Sequence, residues 1–168
     1  VAAMIRVGNQ KGLHNFKELR RITFSIFLLG AVFASFFALI FFIFHKSLPN
    51  IYVDLNDITN YEDNKEVIFI ASKLLLVAAF FQISDSIQVI ILGALRGLQD
   101  VKIPTIITFI SYWIVGFPIS YFLGKEEAYG SFGIWMGLLA GLTTASILLF
   151  IRFNSLTLKL IKQKHELT

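Results

Sequence analysis

The sequence predicts an all-α, polytopic membrane protein, and three observations carry that prediction. Four largely apolar stretches, 22–44, 67–95, 103–123 and 132–151, are each long enough to cross the ~30 Å of a bilayer's hydrocarbon as a helix. Of the 168 residues 56% are hydrophobic, eighteen are phenylalanine, and the mean hydropathy is +0.72, which is greasier than a water-exposed domain of this size tolerates. The cations also segregate. With helices alternating direction, Arg6, Lys11, Lys17, Arg20, Arg21, Arg96, Lys102, Arg152, Lys159, Lys162 and Lys164 fall on one side, eleven of the fifteen. Lys46, Lys65, Lys73 and Lys125 fall on the other. By the positive-inside bias the first side is cytoplasmic, so the carboxyl terminus is expected in the cytoplasm and the two acidic loops outside the inner membrane. The net charge of +4 is then a topology signal, and no nucleic-acid partner is expected.

Taken in order, residues 1–8 read as the end of a spanning helix, closed by Arg6 and Gly8. The chain opens on VAAMIRVGNQKG, without an initiator Met, which suggests a fragment whose amino-terminal part is absent. Arg20 and Arg21 mark the headgroup level before the first complete span, 22–44, which carries no charge. The loop that follows holds Pro49, four asparagines and the acids Asp54, Asp57, Glu62, Asp63 and Glu66, with room for a short interfacial turn at LPNIYVDL. The second span is 67–95. A tight RGLQDVKIP connection leads to the third, 103–123, where Pro104 suits the first turn because its missing N–H would be unpaired there anyway. Pro118 lies inside the same span and removes a backbone hydrogen bond, so a hinge is expected at that point. The fourth span, 132–151, carries Gly133, Gly137 and Gly141 at four-residue spacing, which lets another helix approach closely. Arg152 ends it, and 152–168 reads as a basic cytoplasmic tail.

Asp85 is the sharpest residue. It stands in the second span twelve residues after Lys73 and eleven before Arg96, which at 1.5 Å per residue places it near the midplane of a ~35 Å length. Phe81, Gln82, Gln88, Val89 and Leu92 project within about 60° of it on a helical wheel. An acid between two amides can be hydrogen-bonded in either protonation state, whereas an adjacent cation would hold it ionised. That company favours a proton or cation carrier, with a packing role as the other reading. Lys73 and Arg96 are too distant to pair with it and suit interface anchors. Tyr112, Trp113, Phe117 and Tyr121 of the third span either fill the bundle or line a cavity whose ring faces would suit flat organic cations. No cysteine is present, and His14, His45 and His165 lie in polar flanks away from ligand spacing. Neither an enzyme nor a resident cofactor is expected.

The segments IRVGNQKG, FQISDSIQVIILGALRGLQDVKIP, YWIVGFPISY and GSFGIWMGLLAG, in that order, resemble the carboxyl-terminal half of the multidrug and toxic compound extrusion (MATE) family in its NorM-like bacterial branch. The resemblance implies a twelve-helix antiporter of two six-helix lobes, exporting cationic drugs against inward Na⁺ or H⁺ flow by alternating access. This chain would be part of the second lobe, with the first lobe of the same polypeptide as its missing partner. By the same likeness Asp85 matches a carboxylate of that lobe taking part in cation coupling, as a proton site or Na⁺ ligand. Phe81 stands where some members place a tyrosine. Two other functions remain open at this point. A flippase for a lipid-linked saccharide would call for cations inside the cavity, and a non-transporting structural subunit would need no midplane acid.

Overall fold

The computed structural model describes residues 1–53, 61–125 and 129–166. Helix α1 covers Ala2–Gly12, α2 Phe16–Phe44, α3 Tyr61–Gly97, α4 Lys102–Ile110, α5 Phe117–Leu123 and α6 Gly130–Glu166. A 3-10 turn at Pro49–Ile51 falls within the expected interfacial LPNIYVDL, whose last two residues lie outside the described ones. A π-helical stretch, Ser111–Gly116, joins α4 to α5 without a break. Counting α4, the π stretch and α5 as one, four helices among the described residues are long and apolar enough to cross a membrane. This is an all-α, multi-pass membrane protein.

Local chemistry explains where the helices start. Asn15 caps α2, its side-chain oxygen accepting from the Glu18 amide at 3.3 Å, so the helix begins at Phe16, ahead of the uncharged segment. Helix α3 begins at Tyr61 rather than at the hydrophobic boundary near Val67, because Glu62 and Asp63 in its first turn complement the positive end of the helix dipole. The segment read as a basic tail after Arg152 is helical: α6 continues to Glu166, because Phe153, Leu156, Thr157 and Leu160 recur at helical spacing and face inward.

Helix α3 forms the middle of the bundle, touching α1, α2 and α6, while α6 also covers the π stretch and α5. One buried cluster ties four helices at the end rich in cations: Val7, Leu19, Ile91, Leu95, Leu149 and Phe153 meet there. Polar contacts fasten the same end. Arg152 Nε donates to Asp100 Oδ2 at 2.9 Å in a half-buried pair, and Lys11 Nζ donates to the Leu98 carbonyl and to Gln99 Oε1, both at 2.8 Å. Gln99 turns the chain with φ of 62°, and the Lys11 bond satisfies a carbonyl that the end of α3 leaves free. Arg20 Nη2 reaches Asn154 Oδ1 at 2.8 Å, and Lys164 Nζ donates to the His14 carbonyl at 2.8 Å. The outer face is different. Leu28, Val32, Phe36 and Leu39 of α2 are exposed, a surface that only hydrocarbon or further protein covers comfortably.

The glycines of α6 act as the spacing suggested. A Cβ built on Gly141 would lie 3.0 Å from Gly116 Cα, and one on Gly137 would lie 2.5 Å from Ser120 Cα. Helix α6 therefore meets the π stretch and α5 backbone to backbone, and Ser120 Oγ takes advantage by donating to the Ile134 carbonyl at 3.0 Å.

Candidate functional site

The site is assembled on α3 and completed from the α4–α5 span. Asp85 is exposed, on the part of α3 that no other described helix covers. Three residues on, Gln88 turns inward and is only 7% exposed. Its Oε1 accepts a hydrogen bond from the Tyr112 hydroxyl at 3.2 Å. Asp85 stands on α3 one turn before this Gln88–Tyr112 pair, at the depth where α3 carries no other charge from Leu74 to Leu95.

The remaining residues singled out from the sequence divide around this group. Phe81 and Gln82 are half-buried, and the Phe81 ring packs edge-on against Trp135 of α6 with centroids 5.9 Å apart. Val89, one turn after Asp85, is exposed like it, so the face drawn on a helical wheel is split between a covered edge and an open one. Trp113 is exposed and lies between the rings of Phe109, on which it stacks, and Phe117, to which it is tilted, both centroid distances being 5.8 Å. Lys73 lies over the Phe69 ring at 4.1 Å and is exposed, as is Arg96.

A groove of about 530 Å³ opens between α6 and the π–α5 segment, lined by Tyr112, Trp113, Phe117, Tyr121, Lys125 and Ile134 among others. Tyr112 belongs to both features, with its hydroxyl on Gln88 and its side chain in the groove wall. The π stretch makes this possible. Each π turn holds an extra residue, which rotates the helix before it relative to the helix after it by roughly 100°. Tyr112 can then address α3 while Gly116 and Ser120 address α6. Pro118 lies just beyond the π stretch, and its missing N–H cannot serve the Ile114 carbonyl, so regular α-helix was already interrupted there.

Two features went unread in the sequence. One is the π geometry, for which Gly116 and Pro118 inside a span were the available signal. The other is a hydroxyl seam between α3 and α6, where Ser84 Oγ lies 3.1 Å from Thr143 Oγ1 and Ser146 Oγ donates to the Ser84 carbonyl at 2.8 Å. Small hydroxyl residues inside apolar helices are its signature, and they fix the rotation of α3 that sends Gln88 inward. Among the described residues no group of three or more His, Cys, Asp or Glu side chains could hold a metal ion. One exposed carboxylate with an amide one turn along its helix suits a single proton or contributes part of a monovalent cation's shell.

The MatE family profile matches residues 1–122. The multidrug resistance protein MdtK of Proteus mirabilis is 38% identical over 156 residues, covering 90% of this chain and 32% of the relative. The multidrug resistance protein NorM of Aliivibrio fischeri is 37% identical over 156 residues, covering 90% and 32%. The probable multidrug resistance protein NorM of Bacillus subtilis is 31% identical over 165 residues, covering 98% and 34%. The chain spans about a third of the length of these relatives. Together with the four spans, the matches establish that this chain belongs to the MatE family of multidrug and toxic compound extrusion transporters, in its NorM-like branch.

Proposed function

We propose that this chain works as part of the second lobe of a cation-coupled antiporter that exports cationic drugs, with an amino-terminal lobe of the same polypeptide completing the pathway. The observation that carries the reading is Asp85, an exposed acid alone at mid-span with a neutral amide one turn along its helix. A cation arriving from outside, Na⁺ or H⁺, neutralises the carboxylate and displaces the drug. Loss of that cation to the cytoplasm restores a charge that attracts the next cationic substrate. One acid seen alternately from the two sides is sufficient for exchange. The cation asymmetry supports an inner-membrane orientation with the carboxyl terminus in the cytoplasm. Pro118, beside a π stretch that contacts α6 through glycine backbone, is the proposed hinge. The aromatic groove offers ring faces to a flat cation, and Tyr112 ties it to Gln88, one turn along α3 from the coupling acid. The reading is tested by Asp85→Asn in the complete transporter, which should insert normally and lose gradient-driven movement of a cationic dye.

A further inference from the structure

A second groove, of about 770 Å³, opens between α3 and the first turns of α6, lined by Leu76 and Phe80 of the one and Met136 and Leu139 of the other. It lies off the proposed pathway. On a helical wheel Lys73, Leu76 and Phe80 project roughly 120–180° from Asp85, on the opposite side of α3. One end of the groove is polar. Lys73 and Tyr129, both exposed, stand there, each seven residues ahead of Phe80 and Met136 on its own strand of the chain and so further from the cation-rich end. Seven residues of helix rise about 10 Å, and the twelve from Lys73 to Asp85 rise about 18 Å. Half of a bilayer's hydrocarbon is about 15 Å thick. With Asp85 at the midplane, the apolar floor of the groove therefore occupies most of one leaflet, and Lys73 stands just beyond the hydrocarbon, at the level of the lipid phosphates.

Among the described residues no carboxylate lies within ion-pair reach of Lys73. Its ammonium rests over the Phe69 ring at 4.1 Å, and Val67 and Phe69, further out along α3, are apolar and exposed, so the cation has hydrophobic surface on both sides. A cation at the mouth of an apolar trough repels a cationic drug and suits an anion that brings a hydrocarbon tail. We propose that this groove holds an anionic phospholipid, its phosphodiester on the Lys73 ammonium and the Tyr129 hydroxyl and one acyl chain laid along Phe80, Met136 and Leu139. The chain fills the gap that α3 and α6 leave here, whereas toward their cation-rich ends the same helices meet through Ile91, Leu95, Leu149 and Phe153. The lipid thereby braces α6 against α3 at the end where the buried side chains do not. It occupies the leaflet away from the cation-rich end.

The test is native mass spectrometry of the complete transporter, delipidated and titrated with phosphatidylglycerol or with diacylglycerol of the same chains, which lacks the phosphate. Phosphatidylglycerol should bind the more tightly. Lys73→Ala changes an exposed position and should lower the phosphatidylglycerol binding constant by roughly 5-fold, the effect of one lysine at an anionic membrane surface, while diacylglycerol binds as before. Lys73→Arg keeps the charge and should keep the preference. Met136→Trp fills the trough and should weaken both lipids. Lys46→Ala removes an exposed cation that does not line the groove and should behave as the parent. An unchanged phosphatidylglycerol constant in Lys73→Ala overturns the proposal. So does an equal loss in Lys46→Ala, because diffuse surface charge then accounts for the binding. If another helix of the complete transporter covers the groove, Met136→Trp lowers thermal stability and no variant moves either lipid constant, which overturns it as well. None of these outcomes depends on the role of Asp85.

Discussion

Replacing Gly137 with alanine puts one methyl group where α6 meets the α5 turn that carries Ser120. That methyl would stand 2.5 Å from Ser120 Cα and still closer to the Ser120 amide nitrogen and hydroxyl. Carbon atoms pack at about 3.5–4.0 Å, so α5 must retreat by roughly 1 Å or more, and its obstacle is backbone rather than a side chain able to swing aside. The retreat stretches the 3.0 Å bond from Ser120 Oγ to the Ile134 carbonyl and opens the Gly116–Gly141 contact one turn along α6. Overpacking of this kind costs about 1–3 kcal/mol. In the complete transporter, about three times this chain's length, thermal unfolding followed by fluorescence-detected size exclusion should show a midpoint roughly 1–3 °C lower for Gly137→Ala. Gly8→Ala is the matched control, since its nearest neighbour would lie at an ordinary 3.6 Å, and it should melt with the parent. If Gly137→Ala and Gly8→Ala are equally stable, the backbone contact between α6 and α5 does not exist as described, and the placement of Tyr112 loses its support.

Two further outcomes are expected. The chain has no cysteine, so single cysteines at the exposed positions Asn50 and Gln163 report topology; an impermeant maleimide applied to intact cells should label Asn50→Cys alone, and labelling of Gln163→Cys instead would invert the orientation. Pro118→Ala returns an N–H that can reach the Ile114 carbonyl and lets the π stretch relax toward α-helix, so expression should hold while dye turnover slows several-fold, and unchanged kinetics would remove the hinge.

How much of this was legible depends on the range of the interaction responsible. The spans are written locally, in uncharged runs such as 22–44, and the glycine spacing of α6 announced a close approach before its partner was known. Asp85 stood out because a carboxylate in an apolar helix is costly wherever the helix packs. What stayed hidden depends on contacts between distant residues. Arg152 reads as the end of a span because it is charged, yet Asp100, fifty-two positions away, pairs with it and the helix runs on. A helical wheel groups Gln88 and Val89 with Asp85, but the seam of Ser84 with Thr143 and Ser146 sets the rotation of α3, so that one amide is buried and Val89 exposed. The π stretch is hidden for the same reason. Gly116 and Pro118 mark an irregularity in the span, but its π form comes from satisfying α3 and α6 at once.

The central claim is that Asp85 exchanges a cation for a cationic drug, and gradient-driven dye transport in vesicles holding the complete transporter tests it most directly. An imposed Na⁺ or H⁺ gradient should drive dye accumulation with Asp85 present, and an ionophore that collapses the gradient should abolish it. Asp85→Asn, expressed and inserted to the same level, should fall to the ionophore-treated baseline. Full gradient-driven accumulation by Asp85→Asn would contradict the account and leave Asp85 as a packing residue.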